Sequence, residues 1–441
     1  GGKRDNYRTV SSVLPVSTEN GVTVMNEKKV PFTEGEIREI IKTYPTPFHI
    51  YDEEAIRANV RKLIKAFDWA KDFKEYFAVK ATPNPYIMKI LKAEGVGADC
   101  SSLPELLLCE KVGISGDDII FSSNDTPYQE FAKAMELGAI INIDDITMID
   151  FLEANGPIPD RICMRYNPGP LLKDGNDIIG TPEESKYGLT RDQIFEAMAI
   201  LKQKGVKRFG LHTMVVSNEL NANGLINTAK MMFELAVEVK ERLGIYIDFI
   251  DFGGGIGLPY RPEESFVDYN VLSAGIKGQF EKIMVPNGLD DIRLSFECGR
   301  AITGPYGYLV TTAIHHKDIW KHYIGTDASM ANLMRPGMYG AYHHLTVLGK
   351  EEAPADHVYD VTGSLCENCD KFAVDRPLPE IKDGDILVIH DTGAHGHSMG
   401  FNYNGKLRSA ELLMHKDHSV TQIRRAETVD DLFATLDFSD L

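Results

Sequence analysis

Lys80 closes the run Glu75-Tyr76-Phe77-Ala78-Val79-Lys80 and is followed by the breakers Ala81-Thr82-Pro83-Asn84-Pro85. The run reads as a short strand. A lysine at the carboxyl end of a buried strand is costly to desolvate unless it has a task, and burial lowers an amine's pKa. The neutral amine attacks aldehydes. The same place also suits a lysine snorkelling to water.

Four further stretches carry chemistry. Gly253-Gly254-Gly255, with Gly257, follows a strand, and successive glycines let backbone N–H groups converge on an anion; a plain tight turn is the alternative. No dinucleotide or Walker spacing accompanies them. Glu297-Cys298-Gly299-Arg300 sets a carboxylate and a guanidinium at a strand end, either for work on a ring nitrogen or as a structural ion pair. Arg335 and Tyr339 stand four apart, and Arg335 suits a carboxylate ligand as well as it suits the surface. Cys366-Glu367-Asn368-Cys369-Asp370 offers a thiol with proton-donor capacity in a turn-rich loop, or an inert cysteine. His390, His395 and His397 lie close together, but no metalloprotease motif is completed and no metal site is expected.

The elements that must hold these residues alternate. Thr33 with Glu36 has capping-box spacing and opens a helix that Pro45-Thr46-Pro47 stops. Phe48–Tyr51 reads as a strand, and a helix to Phe67 follows with Ile56, Val60, Leu63, Ile64 and Phe67 on one face. From Lys80 to Glu297 strands and helices alternate through seven or eight β–α units, the rhythm of a TIM-type (β/α)8 barrel; a doubly wound open sheet is the alternative. Beyond residue 303 the runs shorten and a mostly-β half is expected, a β-barrel or sandwich. The expected division is a barrel over 47–303 and a β-rich domain from 1–46 and 304–441. Val13–Val16 and Val22–Met25 are candidate short strands.

The chain has 441 residues and a formal net charge of -18, which disfavours nucleic acid and anionic membrane surfaces. No run approaches the roughly 18 apolar residues of a membrane span. Six cysteines with one short spacing form no disulfide framework, so a reducing cytoplasm is expected.

Several stretches in order resemble the fold-type III pyridoxal-phosphate decarboxylases, and among them the diaminopimelate decarboxylases. They are Tyr76–Lys80, Phe252–Tyr260, Glu297–Arg300, Arg335–His344, Cys366–Asp370 and Ser398–Asn404. The resemblance implies a barrel plus a β-rich domain, pyridoxal 5'-phosphate as cofactor, and a homodimer sharing its active sites. By it Lys80 is the Schiff-base lysine. Gly253, Gly254, Gly255 and Ser217 hold the phosphate, and Glu297 faces the ring nitrogen. His212, Gly299, Arg300 and His395 complete the cofactor site. Arg300, Arg335 and Tyr339 hold the distal end of the substrate. Cys366 and Glu367 cross the interface, with Cys366 near the reacting carbon. A carboxylate at Glu297 favours decarboxylation over racemisation. The implied reaction converts meso-2,6-diaminopimelate to L-lysine and CO2. A decarboxylase of another carboxylate-bearing amine, such as a carboxylated polyamine or a carrier-linked amino acid, is the alternative, and so is a catalytically silent regulatory paralogue.

The chain departs from that family's His-x-His-x-Gly-Ser pattern at His212-Thr213-Met214-Val215-Val216-Ser217. Met214 stands for the histidine that stacks on the cofactor ring, and Val216 for a glycine. His395 replaces a phosphate-contacting tyrosine, Cys298 a proline and Ser329 a glycine.

Overall fold

The computed structural model describes residues 28–170 and 184–441. The candidate strands at 13–16 and 22–25 lie outside them. Strand β1 (Phe48–Asp52) is followed by eight parallel strands: β2 (Lys74–Ala78), β3 (Gly97–Cys100), β4 (Ile119–Ser122), β5 (Ile140–Ile143), β6 (Arg161–Arg165), β7 (Arg208–His212), β8 (Phe249–Asp251) and β9 (Arg293–Phe296). They close into a barrel, with Lys74 opposite Ser295 and Glu75 opposite Phe296 at the seam. That closure excludes the open sheet.

The barrel interior is built in layers two residues apart, as the strand period requires. Tyr76, Ile120, Ile140, Cys163 and Phe249 form one apolar cluster inside it. Gly210 makes room there, since a Cβ at that point would come within 2.8 Å of the Phe249 ring. Two residues further along their strands stand Ala78, Ser122, Asn142, Arg165 and Asp251, and His212 follows Gly210 in the same way. The layer therefore changes from apolar to polar at the carboxyl ends of the strands.

The second half is a nine-stranded sheet among the described residues. Its strands are β1, β10 (Gly307–Asp318), β11 (His322–Thr326), β12 (Leu345–Val347), β13 (His357–Thr362), β14 (Lys371–Leu378), β15 (Ile386–Ile389), β16 (Ala410–Met414) and β17 (Val420–Arg424). Although residue 47 was expected to open the barrel, β1 pairs antiparallel with β10 and parallel with β16. The helix Glu34–Thr43 forms with the Thr33–Glu36 capping box, each side chain accepting from the other's backbone N–H. Its Ile37 packs with Phe32, Phe48, Tyr308 and Leu412 in this half's core.

Candidate active site

Lys80 lies two residues beyond β2, in a single 3-10 turn over Val79–Ala81. Val79 and Ala81 are buried, but Lys80 is exposed. The expectation of a desolvated strand-end amine is therefore corrected. The strand stops at Ala78, and the turn throws the side chain into the open mouth of the barrel. Its charge acts on Asp99, Glu105 and His395, which places it above the polar layer. Gly299 permits this approach, because a Cβ there would come within 2.9 Å of the Ala81 Cβ.

Glu297 follows β9, and its N–H donates to Gly253 O at 2.7 Å. Its side chain meets three groups from other strands: Asp99 of β3, Asp251 of β8 and His212 of β7. The His212 Nε2 stands 3.4 Å from Glu297 Oε2. On the other side of that ring Asn142 Nδ2 lies 3.0 Å from Nδ1 and also donates to Ser122 Oγ at 2.7 Å. Burial alone would raise the Glu297 pKa. The His212 charge, with the Asp251 and Asp99 side chains set close by, outweighs burial and holds the carboxyl below the usual carboxylate range. Burial and then the Glu297 charge push Asp99 and Asp251 well up. One ionised carboxylate flanked by two proton-holding neighbours is how buried acids coexist. Glu297 Oε1 remains buried without a hydrogen-bond partner among the described residues.

The glycine run is held against the loop after β7. Glu219 N donates to Gly255 O at 2.7 Å, and Gly257 N to Glu219 O at 2.8 Å. Gly253 (φ 75) and Gly255 (φ 99) are left-handed. A Cβ on them would come within 2.3 Å of Thr213 O and 2.8 Å of Val216 O. Ser217 and Met214 are exposed on this loop, whereas Val216 is buried.

The sheet half closes the other side. The His395 N–H donates to Ala81 O at 3.0 Å, and Ser398 Oγ donates to the same oxygen at 3.1 Å. Burial, then the charges of Arg300, Lys80 and Arg335, push the His395 imidazole down to about 3, so it faces three cations as a neutral ring. Arg300 and Arg335 converge on one ring: their guanidinium carbons lie 5.8 and 4.1 Å from the centroid of Tyr260. Among the described residues neither guanidinium pairs with a carboxylate. Asp391, whose charge reaches Arg335, is bound to Lys28 at 2.7 Å.

Lys80, Glu297, His212, Arg300, Arg335 and His395 thus gather at the barrel mouth. Cys366, Glu367 and Tyr339 are exposed. The Cys366 N–H donates to Asn404 Oδ1 at 2.8 Å. The histidines of 390–397 do not converge: His390 Nε2 pairs with Thr346 Oγ1 at 2.7 Å, and His397 Nε2 with Ser409 O at 3.0 Å. Asp99, Asn142, Asp251 and Tyr260 belong to the site but were not singled out from sequence. The usable signal is position, since the first three each follow an interior residue by two.

An eight-stranded barrel with an amine at its mouth, one ionised carboxylate among buried acids and a glycine cradle is the arrangement of a barrel enzyme. The sequence model of the family described as pyridoxal-dependent decarboxylase, pyridoxal binding domain, matches residues 53–304. Protein TabA of Pseudomonas amygdali pv. tabaci is 42% identical over 393 residues, covering 89% of this chain and 91% of that one. The diaminopimelate decarboxylase of Methanothermobacter thermautotrophicus is 34% identical over 395 residues, covering 89% and 92%. Among solved structures, diaminopimelate decarboxylase from M. jannaschii superimposes with a TM-score of 0.84 at 28% identity, covering 90% of this chain and 94% of that one. The chain belongs to the pyridoxal-dependent decarboxylases, in the diaminopimelate decarboxylase family.

Pyridoxal phosphate is accordingly its cofactor, and the residues present fit it. The partnerless, buried Glu297 Oε1 suits a ring N–H donor, and Lys80 is an accessible amine. Among the described residues no helix is long and apolar enough to cross a membrane.

Proposed function

We propose that this enzyme decarboxylates an amino acid bearing a distal carboxylate, meso-2,6-diaminopimelate, to give L-lysine and CO2. The observation that carries the reading is the pair Arg300 and Arg335, two guanidinium groups on one tyrosine ring with no carboxylate partner among the described residues. Such a pair is costly to keep unpaired and matches an incoming carboxylate. The relatives that bear the name diaminopimelate decarboxylase support it.

In this reading Lys80 holds the cofactor through its amine. Ser217 and the backbone of Gly253 to Gly255 hold the phosphate, with His212, Gly299 and His395 completing the site. Bound there, the cofactor supplies an electron sink for the charge left when CO2 departs. Glu297 keeps its negative charge, with Oε1 left for a ring N–H, while Asp99 and Asp251 beside it keep their protons. Arg300 and Arg335 bind the distal carboxylate, with Tyr339 beside them. Cys366 and Glu367 act across the interface of a homodimer, and Cys366 or Lys80 returns a proton to the reacting carbon. The barrel half, 47–303 without β1, carries the cofactor, and the sheet half carries Arg335.

A second reading takes another carboxylate-bearing amine as substrate. The 42% identity to a relative that bears a different name favours it. The test is CO2 release by purified enzyme with pyridoxal phosphate and meso-diaminopimelate, against lysine and ornithine. Release from diaminopimelate alone is expected. Release only from a different carboxylate-bearing amine selects the second reading.

A further inference from the structure

We infer that His343 is a positioning residue: it fixes the guanidinium of Arg335 in the orientation that receives the distal carboxylate. The inference rests on the role given to Arg335 above.

His343 is fully buried. Its Nδ1 lies 2.8 Å from His390 O, and a carbonyl only accepts, so Nδ1 carries the hydrogen. In the neutral ring Nε2 is then a lone pair. Arg335 Nη1 lies 2.8 Å from it and donates. The tautomer is thereby set from both sides. A second proton would put two donors face to face. Burial, then the Arg335 charge, push the imidazole down to about 3, so the acceptor form persists.

The backbone is pinned as well, because Arg376 Nη1 donates to His343 O at 2.8 Å. Tyr260 completes the clamp. Its ring meets the His343 ring edge-on at 5.2 Å and underlies Arg335 at 4.1 Å. The hydrogen bond to His343 is the one that the Arg335 side chain makes among the described residues, which leaves Nε and Nη2 for a ligand. The choice of acceptor matters. A carboxylate at 343 would orient the guanidinium and also neutralise it. A neutral imidazole orients it and leaves the positive charge for the substrate.

The test is a double-mutant cycle on the holoenzyme, read as KM and kcat for meso-diaminopimelate. His343→Leu is expected to raise KM about tenfold with kcat within about threefold, the signature of lost uniform binding. His343→Gln, which keeps an acceptor and a donor, is expected to return KM to within about threefold of the parent. In an Arg335→Ala background His343→Leu is expected to change KM less than about twofold. An unchanged KM in His343→Leu, or full additivity with Arg335→Ala, overturns the inference. If Arg335→Ala itself leaves KM unmoved, the reading of Arg335 fails instead. Labelling of Arg335 by phenylglyoxal, followed by peptide mass spectrometry without substrate, then decides the inference alone. Faster labelling in His343→Leu than in His343→Gln upholds the tether, and equal rates overturn it.

Discussion

The floor and the rim of this site treat charge in opposite ways. On the floor, Asp99, Asp251 and Glu297 crowd together, and the cluster settles its own repulsion by keeping protons on two members. At the rim, Arg300 and Arg335 are also crowded, but a guanidinium cannot shed its proton at any ordinary pH. Aromatic stacking and a neutral imidazole hold the rim together without cancelling its charge. A titratable cluster can be self-sufficient; a permanently charged one stays poised for a ligand.

Removing Lys80, which stands between the two regions, is expected to have the largest effect: Lys80→Ala abolishes CO2 release, and turnover by it would dismiss the lysine's role. Glu297→Gln removes the one floor charge and should lower kcat by about 10²–10³-fold with little change in KM. Arg300→Ala should do the converse, raising KM about 10- to 100-fold while kcat falls far less. Steady-state kinetics of the two side by side would erase the contrast if both moved the same parameter. Asp251→Asn keeps a donor toward Glu297 and should stay within about threefold in kcat, whereas Asp251→Leu should lose about tenfold.

The smallest effect is on stability. Burial pushes His343 and His397 down to about 3, whereas an unfolded histidine titrates near 6.5. Between those values the unfolded chain binds more protons, so this stabilisation is complete above about pH 6.5 and is lost as pH falls toward 3. Each ring contributes roughly 1.4 kcal/mol per pH unit in that window. Urea unfolding at pH 7 and pH 5 checks it, and His343→Gln should flatten the slope.

Much of the candidate site was legible because its signals are local. The strand–breaker junction at Lys80, the glycine run and Glu297 each declare themselves within a few residues. The β–α rhythm also gave the barrel's eight strands. What the sequence hid was relational. Lys80 was expected to be desolvated, but strand patterning does not say where a strand stops, and two residues of turn put the amine in the mouth. Phe48–Tyr51 was rightly expected as a strand, yet alternation names a face and not a partner. Asp99 and Asp251 looked like ordinary strand-end acids until the closed barrel set them against Glu297. The Arg335–His343–Tyr260 clamp joins residues from both halves, which no local pattern announces.

The position of β1 carries a consequence for how the chain reaches this state. Phe48 pairs with Val310 on one side and Ala410 on the other. During synthesis the strand emerges before the whole barrel, while both its neighbours emerge after it. Long-range pairing of this kind is slow, because loop-closure entropy is spent before the contacts form. The barrel can therefore close while β1 still waits, and the sheet completes only after Arg424 has been made. Arg335 and His343, the residues proposed to receive the distal carboxylate, lie on this late-arriving half.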